Sequence, residues 1–271
     1  MNSTGSTAKA EVEGSPLRIE PSLIKAFRGL FRISFKSQFA ARRLPMVILL
    51  AFLIPALAWF TVGTGRQVPF FHWMVDVYLL LLLPLYCLSV CGALIRDEIQ
   101  SDTLGFLTTR PLTRVRLFLV KFVCQIVLLE MIGLGSAVLL MASGGLRSIP
   151  DLVALAPVFL LAQGLGVLAY GALSSLLGLL TQRYMVLGIV YGFVVEFGIG
   201  RIPTNINNLS VSRHLRTILA NNETILDLYG WSPEGTLFSM AILGSATVGF
   251  LVIGAVVFKF REYHASDDMQ K

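Results

Sequence analysis

Long apolar blocks separated by short polar segments make up most of the chain from residue 45 onward. A helix rises about 1.5 Å per residue, so about 20 apolar residues cross a hydrocarbon layer of about 30 Å. The fourth block is long enough to tilt or to protrude, whereas the fifth, with 16 residues, barely spans the layer. The pattern predicts six transmembrane helices, at about 45–62, 75–95, 115–142, 152–180, 184–199 and 237–260.

The pattern before residue 45 differs from that of the later blocks. Residues 1–16 are rich in Ser, Thr, Gly and Glu and offer almost nothing to bury, which is typical of a disordered tail. In residues 17–44, apolar side chains recur at helical spacing and basic side chains occupy much of the other side. This predicts an amphipathic helix in the membrane interface, followed by a single membrane domain at 45–271.

The composition agrees with an all-α membrane protein and excludes a soluble fold. Of the 271 residues, 55% are hydrophobic and 14% are charged, against about 25% charged in soluble domains. The net charge of +6 does not indicate a nucleic-acid partner, because the basic residues lie beside apolar blocks, where they set topology and contact anionic lipid headgroups. Cys87, Cys91 and Cys124 lie inside apolar blocks, so we predict buried apolar side chains and neither a disulfide nor a metal site.

Lys and Arg are distributed unequally between the predicted loops. With the N-terminus inside, 17 of the 22 basic residues lie on the inner side and five on the outer side. Because positive residues favour the cytoplasmic side, we expect both termini in the cytoplasm. Trp73 and Trp231 then fall at the outer interface, where aromatic side chains are enriched.

The inner loop after the second predicted span contains a short helical pattern. Ser101 is a suitable N-cap, and Asp102 places a negative charge in the first turn. A residue before proline avoids helical geometry, so the pattern ends at the Arg-Pro pair. The apolar and terminating residues are Leu104, Phe106, Leu107, Arg110 and Pro111. From the residues alone, this helix is either a docking site for a partner or an interfacial connector held by lipid headgroups.

This loop resembles the cytoplasmic signature of ABC-2 type permeases. The signature combines an acidic–basic cluster, a Thr-Leu-x-x-Leu turn, an x-Pro-x-x-Arg segment and a nearby Lys. The matching residues are Arg96, Asp97, Glu98, Thr103, Leu104, Leu107, Pro111, Arg114 and Lys121. The family often has Gly just before the Thr-Leu pair, where this chain has Asp102. The amphipathic N-terminal helix, the six spans and a helical extracytoplasmic insertion before the last span are also similar to the family.

The resemblance implies a partner that supplies the energy. In the family, this loop contains a coupling helix that fits a groove on a separate ATPase subunit. The implied ATPase-coupling residues are Arg96, Asp97, Glu98, Asp102, Thr103, Leu104, Phe106, Leu107, Arg110, Pro111 and Arg114. The chain has no G-x-x-x-x-G-K-[ST] string, so ATP hydrolysis is expected on a partner chain, and this chain is not expected to be an enzyme by itself. ATP and Mg are expected on two partner ATPase subunits, with no cofactor on this chain.

The resemblance also implies the setting of the complex. Two permease chains, as a homodimer or a heterodimer, would line a pathway across the plasma (bacterial inner) membrane. The direction of transport would be export. ATP-driven closure of the ATPase subunits would move the coupling helices and shift the bundle between states.

The predicted outer segment 201–234 is too long for a simple connector. Val211, Leu215 and Ile218 fall on one face of a possible helix. An asparagine, Asn221 or Asn222, is a suitable cap for a second helical turn that ends at Gly230. The resemblance implies that these short helices form an outer gate, and the alternative is a surface lid without a gating role. His214 is expected to be a solvated helix residue and not a metal ligand.

Two acidic residues lie within predicted spans. Glu130 is near the middle of the third, where an ionised group is costly and must face protein or water. It either lines the pathway or is a protonated acid bonded to a neighbour such as Gln163. Glu196 lies near the outer end of the fifth span and is expected to be solvated.

Three functions compete at this point. The first is a permease subunit of an ATP-driven exporter, and the second is an ATPase-coupled scaffold that passes mechanical work to an external partner. The third is an ion-coupled secondary transporter that uses Glu130, although the inverted repeats typical of that class are not evident. Small residues four apart, as in Gly171 with Ser175, Ser174 with Gly178 and Ser245 with Gly249, indicate close helix packing without indicating a function.

Overall fold

The computed structural model describes residues 54–96, 113–198, 210–231 and 235–260, together with eight isolated residues between 28 and 52. The predicted tail at 1–16 lies outside the described residues. Five residues of the predicted amphipathic helix are described, and all five are helical. Most of the predicted coupling helix, residues 97–112, also lies outside.

The described residues form an all-helical structure without strands, which confirms the predicted all-α class. Four helices are long and apolar enough to cross a membrane by length and composition: α2, α3, α4 and α8. The helices are α1 (Ile54–Thr61), α2 (Gln67–Cys91), α3 (Arg114–Leu146), α4 (Leu152–Leu180), α5 (Tyr184–Tyr191, continued by a π-helical turn at Gly192–Gly198), α6 (Val211–Leu219), α7 (Glu223–Tyr229) and α8 (Thr236–Phe260).

Two of the six predicted spans are represented by shorter helices. Helix α1 covers the second half of the predicted first span, whose earlier residues are largely undescribed. Helix α5 and its π-helical turn cover most of the predicted fifth span, but they fall short of the length of the four spanning helices. The six-span count therefore stays a prediction.

Helix α2 begins eight residues earlier than the predicted second span. Its first residue, Gln67, is polar, and Gln67 Nε2 donates to Asp151 Oδ2 at 3.2 Å. This bond gives the polar first residue a partner outside the predicted span, and the helix begins before that span. Residues His72–Leu82 have π-helical geometry, and Pro84 stands at the start of the α-helical part that follows. π-Helical segments often occur at functional sites.

Helix α4 lies at the centre of the bundle, where it packs against α2, α3, α5, α6 and α8. Gly178 explains part of this packing, because a β-carbon there would overlap the carbonyl of Gly92, the residue that follows α2. Small residues let helices approach closely in lipid. The predicted Ser245–Gly249 pair differs, because a β-carbon at Gly249 would meet nothing within 4 Å.

The connections between helices meet at two opposite ends of the bundle. At one end, the α1–α2 connection contacts the α3–α4 connection, since Gly65 N donates to Arg147 O at 3.0 Å. Arg147 Nη2 also donates to Trp59 O at 2.8 Å. At the other end, Lys121 Nζ near the start of α3 donates to Leu94 O after α2, at 2.9 Å. We call the first the insertion end, because residues 210–231 lie there, and the second the loop end, because residues 97–112 connect there.

Candidate functional site

The N-terminus of helix α6 binds the carboxylate of Glu196, which lies in the π-helical turn after α5. Ser210, its N-cap, donates from Oγ to Glu196 Oε2 at 2.7 Å. The backbone N–H groups of Val211 and Ser212 donate to the same carboxylate, at 3.2 Å and 2.9 Å. The first N–H groups of a helix have no partner within the helix and carry partial positive charge, so a carboxylate stabilises this end.

The apolar face of α6 is buried in the bundle. Leu215 and Ile218 are fully buried, and Val211 is 5% exposed. Leu215 reaches α4, because a β-carbon at Gly166 would lie 3.2 Å from Leu215 Cδ1. The three predicted gate residues therefore share one face, and that face packs against the spanning helices instead of facing solvent.

Two predictions about polar residues near α6 are wrong. Glu196 was expected to be solvated, but it is 7% exposed because it accepts the N-terminal bonds of α6. His214 was expected to be a solvated helix residue, but it is 4% exposed, with Nδ1 3.2 Å from Ser239 Oγ of α8. Both partners are distant in sequence, so the local pattern gave no signal for either contact.

Helix α7 begins and ends where the sequence predicts a short helix. Asn222 is its N-cap and accepts from Thr224 N at 3.1 Å. Gly230 follows the last turn with φ of +62°, a left-handed conformation that favours glycine. Both predictions are confirmed, because caps are local and depend on adjacent residues.

A polar cluster attaches α7 to the π-helical part of α2. Tyr229 donates from its hydroxyl to Asp76 Oδ2 at 3.2 Å, and His72 Nδ1 lies 2.7 Å from the same oxygen. Trp231 stacks on the Tyr229 ring at 4.2 Å between centroids. Burial, together with the negative charge of Asp76, raises the pKa of Tyr229 well above its usual range. The phenol therefore stays protonated at neutral pH and remains a donor.

The predicted pathway residues meet in the middle of the bundle. Gln163 of α4 is fully buried, and the hydroxyl of Tyr78 lies 3.4 Å from its Oε1. Tyr78 donates to Gly133 O of α3 at 2.8 Å. Glu130 of α3 is half-buried, with its carboxyl next to Gln163 and Gly164. A buried polar cluster thus joins α2, α3 and α4, and the structure brings Glu130 and Gln163 together.

Of the predicted coupling residues, the structure describes two. Arg96 is 6% exposed at the loop end, and Arg114 is exposed in the first turn of α3. Thr113 is the N-cap of α3 and accepts from Arg116 N at 3.4 Å. The other predicted coupling residues lie outside the described residues: Asp97, Glu98, Asp102, Thr103, Leu104, Phe106, Leu107, Arg110 and Pro111.

Three of the four spanning helices, α2, α3 and α4, and the loop between α2 and α3 match a known protein family. A family model described as ABC-2 family transporter protein matches residues 40–200, which is more than half of the chain. The chain belongs to the ABC-2 transporter family. A comparison with curated proteins gave no match.

Membership of the ABC-2 family assigns the chain to a general role. It is a membrane-embedded transport subunit that works with the ATPase subunits of an ABC transporter. The matched range contains α1 to α5 and ends close to Glu196, so α6, α7 and α8 lie beyond it. The attachment of α6 to Glu196 therefore joins the matched part of this ABC-2 chain to the unmatched part.

Proposed function

We propose that this chain is the permease subunit of an ATP-driven ABC-2 exporter, coupled to separate ATPase subunits through residues 96–114. The family match over 40–200 carries the proposal, because it includes this loop. Two such chains, identical or related, would line the pathway, and two ATPase subunits would hold ATP and Mg. The unequal distribution of basic residues supports a cytoplasmic loop end with both termini inside. The membrane proposed for the complex is the plasma membrane.

The contacts at the loop end support a mechanical role for this loop. Lys121, which is 6% exposed, donates to Leu94 O and so links the start of α3 to the end of α2. Arg96 is equally buried on the other side of the loop. A displacement of residues 97–112 would therefore act on both helices together.

Helix α3 connects the loop end to the insertion end and would transmit a displacement between them. It is a continuous helix of 33 residues, about 50 Å long at about 1.5 Å per residue. Arg147 follows the last residue of α3 and donates a hydrogen bond to the backbone carbonyl of Trp59 on α1. Its guanidinium carbon lies 4.3 Å from the centroid of the Trp59 ring. Movement at the coupling loop would thus reach the connections beside the insertion, where α6 would form the outer gate.

The coupling proposal is tested with an ABC ATPase that copurifies with the parent chain. Leu104 and Leu107 are changed together to Asp, and copurification and ATP hydrolysis are measured in nanodiscs. We expect both association and stimulation of hydrolysis to be lost, because two carboxylates replace the apolar docking contacts. The control is Leu146→Asp, the same change at an exposed leucine at the insertion end.

Other outcomes separate the competing functions. Coupling is wrong if the double variant associates and hydrolyses ATP like the parent chain. Hydrolysis without movement of any substrate would favour an ATPase-coupled scaffold. The position of Glu130 beside Gln163 also permits an ion-coupled transporter. Transport that needs no ATPase but is lost in Glu130→Gln would favour that function.

A further inference from the structure

The carboxyl group of Glu130 lies deep in the membrane. Glu130 is the middle residue of α3, 16 residues from Arg114 at one end and 16 from Leu146 at the other. At about 1.5 Å per residue, it is about 24 Å from each end of the helix. A helix of this length that crosses a hydrocarbon layer of about 30 Å keeps its middle residue inside that layer. Glu130 is therefore an ionisable group at bilayer depth.

Glu130 lies on a side of α3 that the other described helices leave open. Val127 and Leu134 are its neighbours three and four residues away, and Met131 neighbours both of them. Their exposed fractions are 38%, 43% and 57%, and Glu130 itself is partly exposed. Neither of its carboxylate oxygens belongs to the enclosed polar atoms of the described residues, so the carboxylate can be approached from outside. We call these four residues the Glu130 face.

The described residues supply no counter-charge to this carboxylate. The ion pair that they form is between His72 and Asp76, and Glu130 takes part in none. The neighbours of Glu130 on α4 are neutral: the amide of Gln163, and Gly164, where a β-carbon would lie 3.6 Å from Glu130 Oε1. Ionisable groups at this depth are costly, and they almost always face protein, water or a charged partner.

A second copy of this chain cannot supply the cation either. The six apolar blocks contain Arg116, Lys121 and Lys259 and no other Lys, Arg or His. All three lie towards the loop end, where Phe118 of α3 packs on Phe258 of α8. From residue 121 to residue 130 is nine residues, or about 14 Å along α3. Copies that share one membrane have these cations at the same distant depth.

Two common cations are also disfavoured at the Glu130 face. Metal ions such as Ca²⁺ need several oxygen ligands, and the described residues contain no group of three His, Cys, Asp or Glu that could hold a metal. The ammonium group of a phospholipid stays at the membrane surface, about 15 Å from the middle of the hydrocarbon layer. What remains is a cation whose own apolar part carries it into the bilayer.

We propose that the Glu130 face binds the cationic group of an amphiphilic molecule, whose apolar part packs on Val127, Met131 and Leu134. Glu130 supplies the counter-charge, and the attraction between opposite charges is stronger in an apolar layer than in water. Binding of this kind does not depend on an ATPase. That amphiphilic cations are also the transported substrates rests on the proposed function.

Binding is tested on the purified full-length chain in phosphatidylcholine nanodiscs without an ATPase. The probe is radiolabelled tetraphenylphosphonium, an apolar cation, measured by equilibrium dialysis and corrected for uptake by empty nanodiscs. We expect saturable binding. Tetraphenylborate has a similar shape and the opposite charge, so it should show no saturable binding.

The role of the charge is tested at Glu130 itself. Glu130→Gln keeps the shape of the side chain and removes its charge, so tetraphenylphosphonium should bind about tenfold more weakly or worse. Glu130→Asp keeps the charge and should bind more tightly than Glu130→Gln. The control is Glu223→Gln, which removes a charge from the exposed first turn of α7 and should leave binding unchanged.

The position of the site is tested without removing the charge. Gly164→Leu places a bulky side chain beside the Glu130 carboxylate and should also weaken binding. Gly244→Leu on α8, where a β-carbon would meet nothing within 4 Å, should leave binding unchanged. This pair of variants guards against a folding defect in Glu130→Gln.

Three results would each overturn the proposal. They are the absence of saturable tetraphenylphosphonium binding above empty nanodiscs, equal saturable binding of tetraphenylborate, and parent-like binding in Glu130→Gln. The Leu104 and Leu107 substitutions should not change dialysis, because no ATPase is present. A failure of ATPase coupling and a failure of the Glu130 face are therefore distinguishable.

Discussion

Individual glycines in this chain mark the places where another helix or a polar side chain comes close. At Gly133, a β-carbon would lie 2.8 Å from Gln163 Nε2, so a glycine leaves room for the amide of the central polar cluster. At Gly92, a β-carbon would overlap the ring of Tyr184 at the start of α5. Close packing, and not backbone conformation, favours glycine at these positions, since the Gly92 backbone is right-handed helical.

Glu196 provides the residue-scale prediction. Glu196→Ala removes the acceptor of three donors at the start of α6, and an unsatisfied buried donor costs about 1–3 kcal/mol. We expect amide hydrogen exchange in Val211–Leu219 to accelerate about tenfold or more, measured by mass spectrometry in nanodiscs.

Two further variants make this measurement specific. Glu196→Gln keeps the shape but directs an NH₂ group towards one donor, so its effect should be intermediate. Glu223→Ala removes an exposed acid from the first turn of α7 and should leave exchange in α6 unchanged. Parent-like exchange of α6 in Glu196→Ala would show that the carboxylate does not stabilise this helix.

At the scale of elements, α4 determines the arrangement of the others. It packs against five helices, and a continuous stretch of buried residues runs from Ala169 to Leu176. Hydrophobicity does not drive association between helices in lipid, so close fit and internal polar bonds must do so. Gly178 and Gly171 provide the fit, and Gln163 provides the polar group.

Gly178 gives the element-scale prediction. Gly178→Ala places a methyl group against the Gly92 carbonyl, and overpacking of this kind costs about 1–3 kcal/mol or more. We expect a thermal unfolding midpoint several degrees lower, measured in one detergent. Gly249→Ala is the matched control, because it has the same effect on helix propensity but enters open space. Equal midpoints for the two variants would contradict the close α2–α4 contact.

The whole molecule has two ends, and its loops divide between them. The α1–α2 connection, the α3–α4 connection and the insertion lie at one end, while Arg96, Thr113 and the α4–α5 connection belong to the other. This division follows from contacts and does not depend on the count of basic residues.

The orientation of these ends is the prediction at this scale. Ser148→Cys at the insertion end should react with a membrane-impermeant maleimide added to intact cells. Gln182→Cys at the loop end should react only after the membrane is opened, because both positions are exposed but lie on opposite sides. The native cysteines are fully buried and give a low background. The reverse pattern would place the loop end outside and exclude cytoplasmic coupling.

Features with a local cause could be predicted from the sequence. The apolar blocks predicted the spanning helices because lipid requires long apolar segments, and Asn222 and Gly230 predicted the limits of α7 because caps involve adjacent residues. The pairing of Glu130 with Gln163 was anticipated because few polar groups share that depth.

Features with a distant cause could not be predicted. Glu196 and His214 were misread because their partners, Ser210 and Ser239, are 14 and 25 residues away. The π-helical part of α2, at His72–Leu82, was also missed. The pattern of apolar residues alone does not specify which helices pack against each other.

The insertion is attached at three points to three different helices: at Glu196 to α5, at Ser239 to α8 and at Asp76 to α2. While these three contacts hold, the insertion cannot move independently of the helices that carry them. Any change in the relative positions of these three helices must therefore break an attachment or reorient the insertion as a unit. The position of the insertion therefore follows the relative positions of α2, α5 and α8.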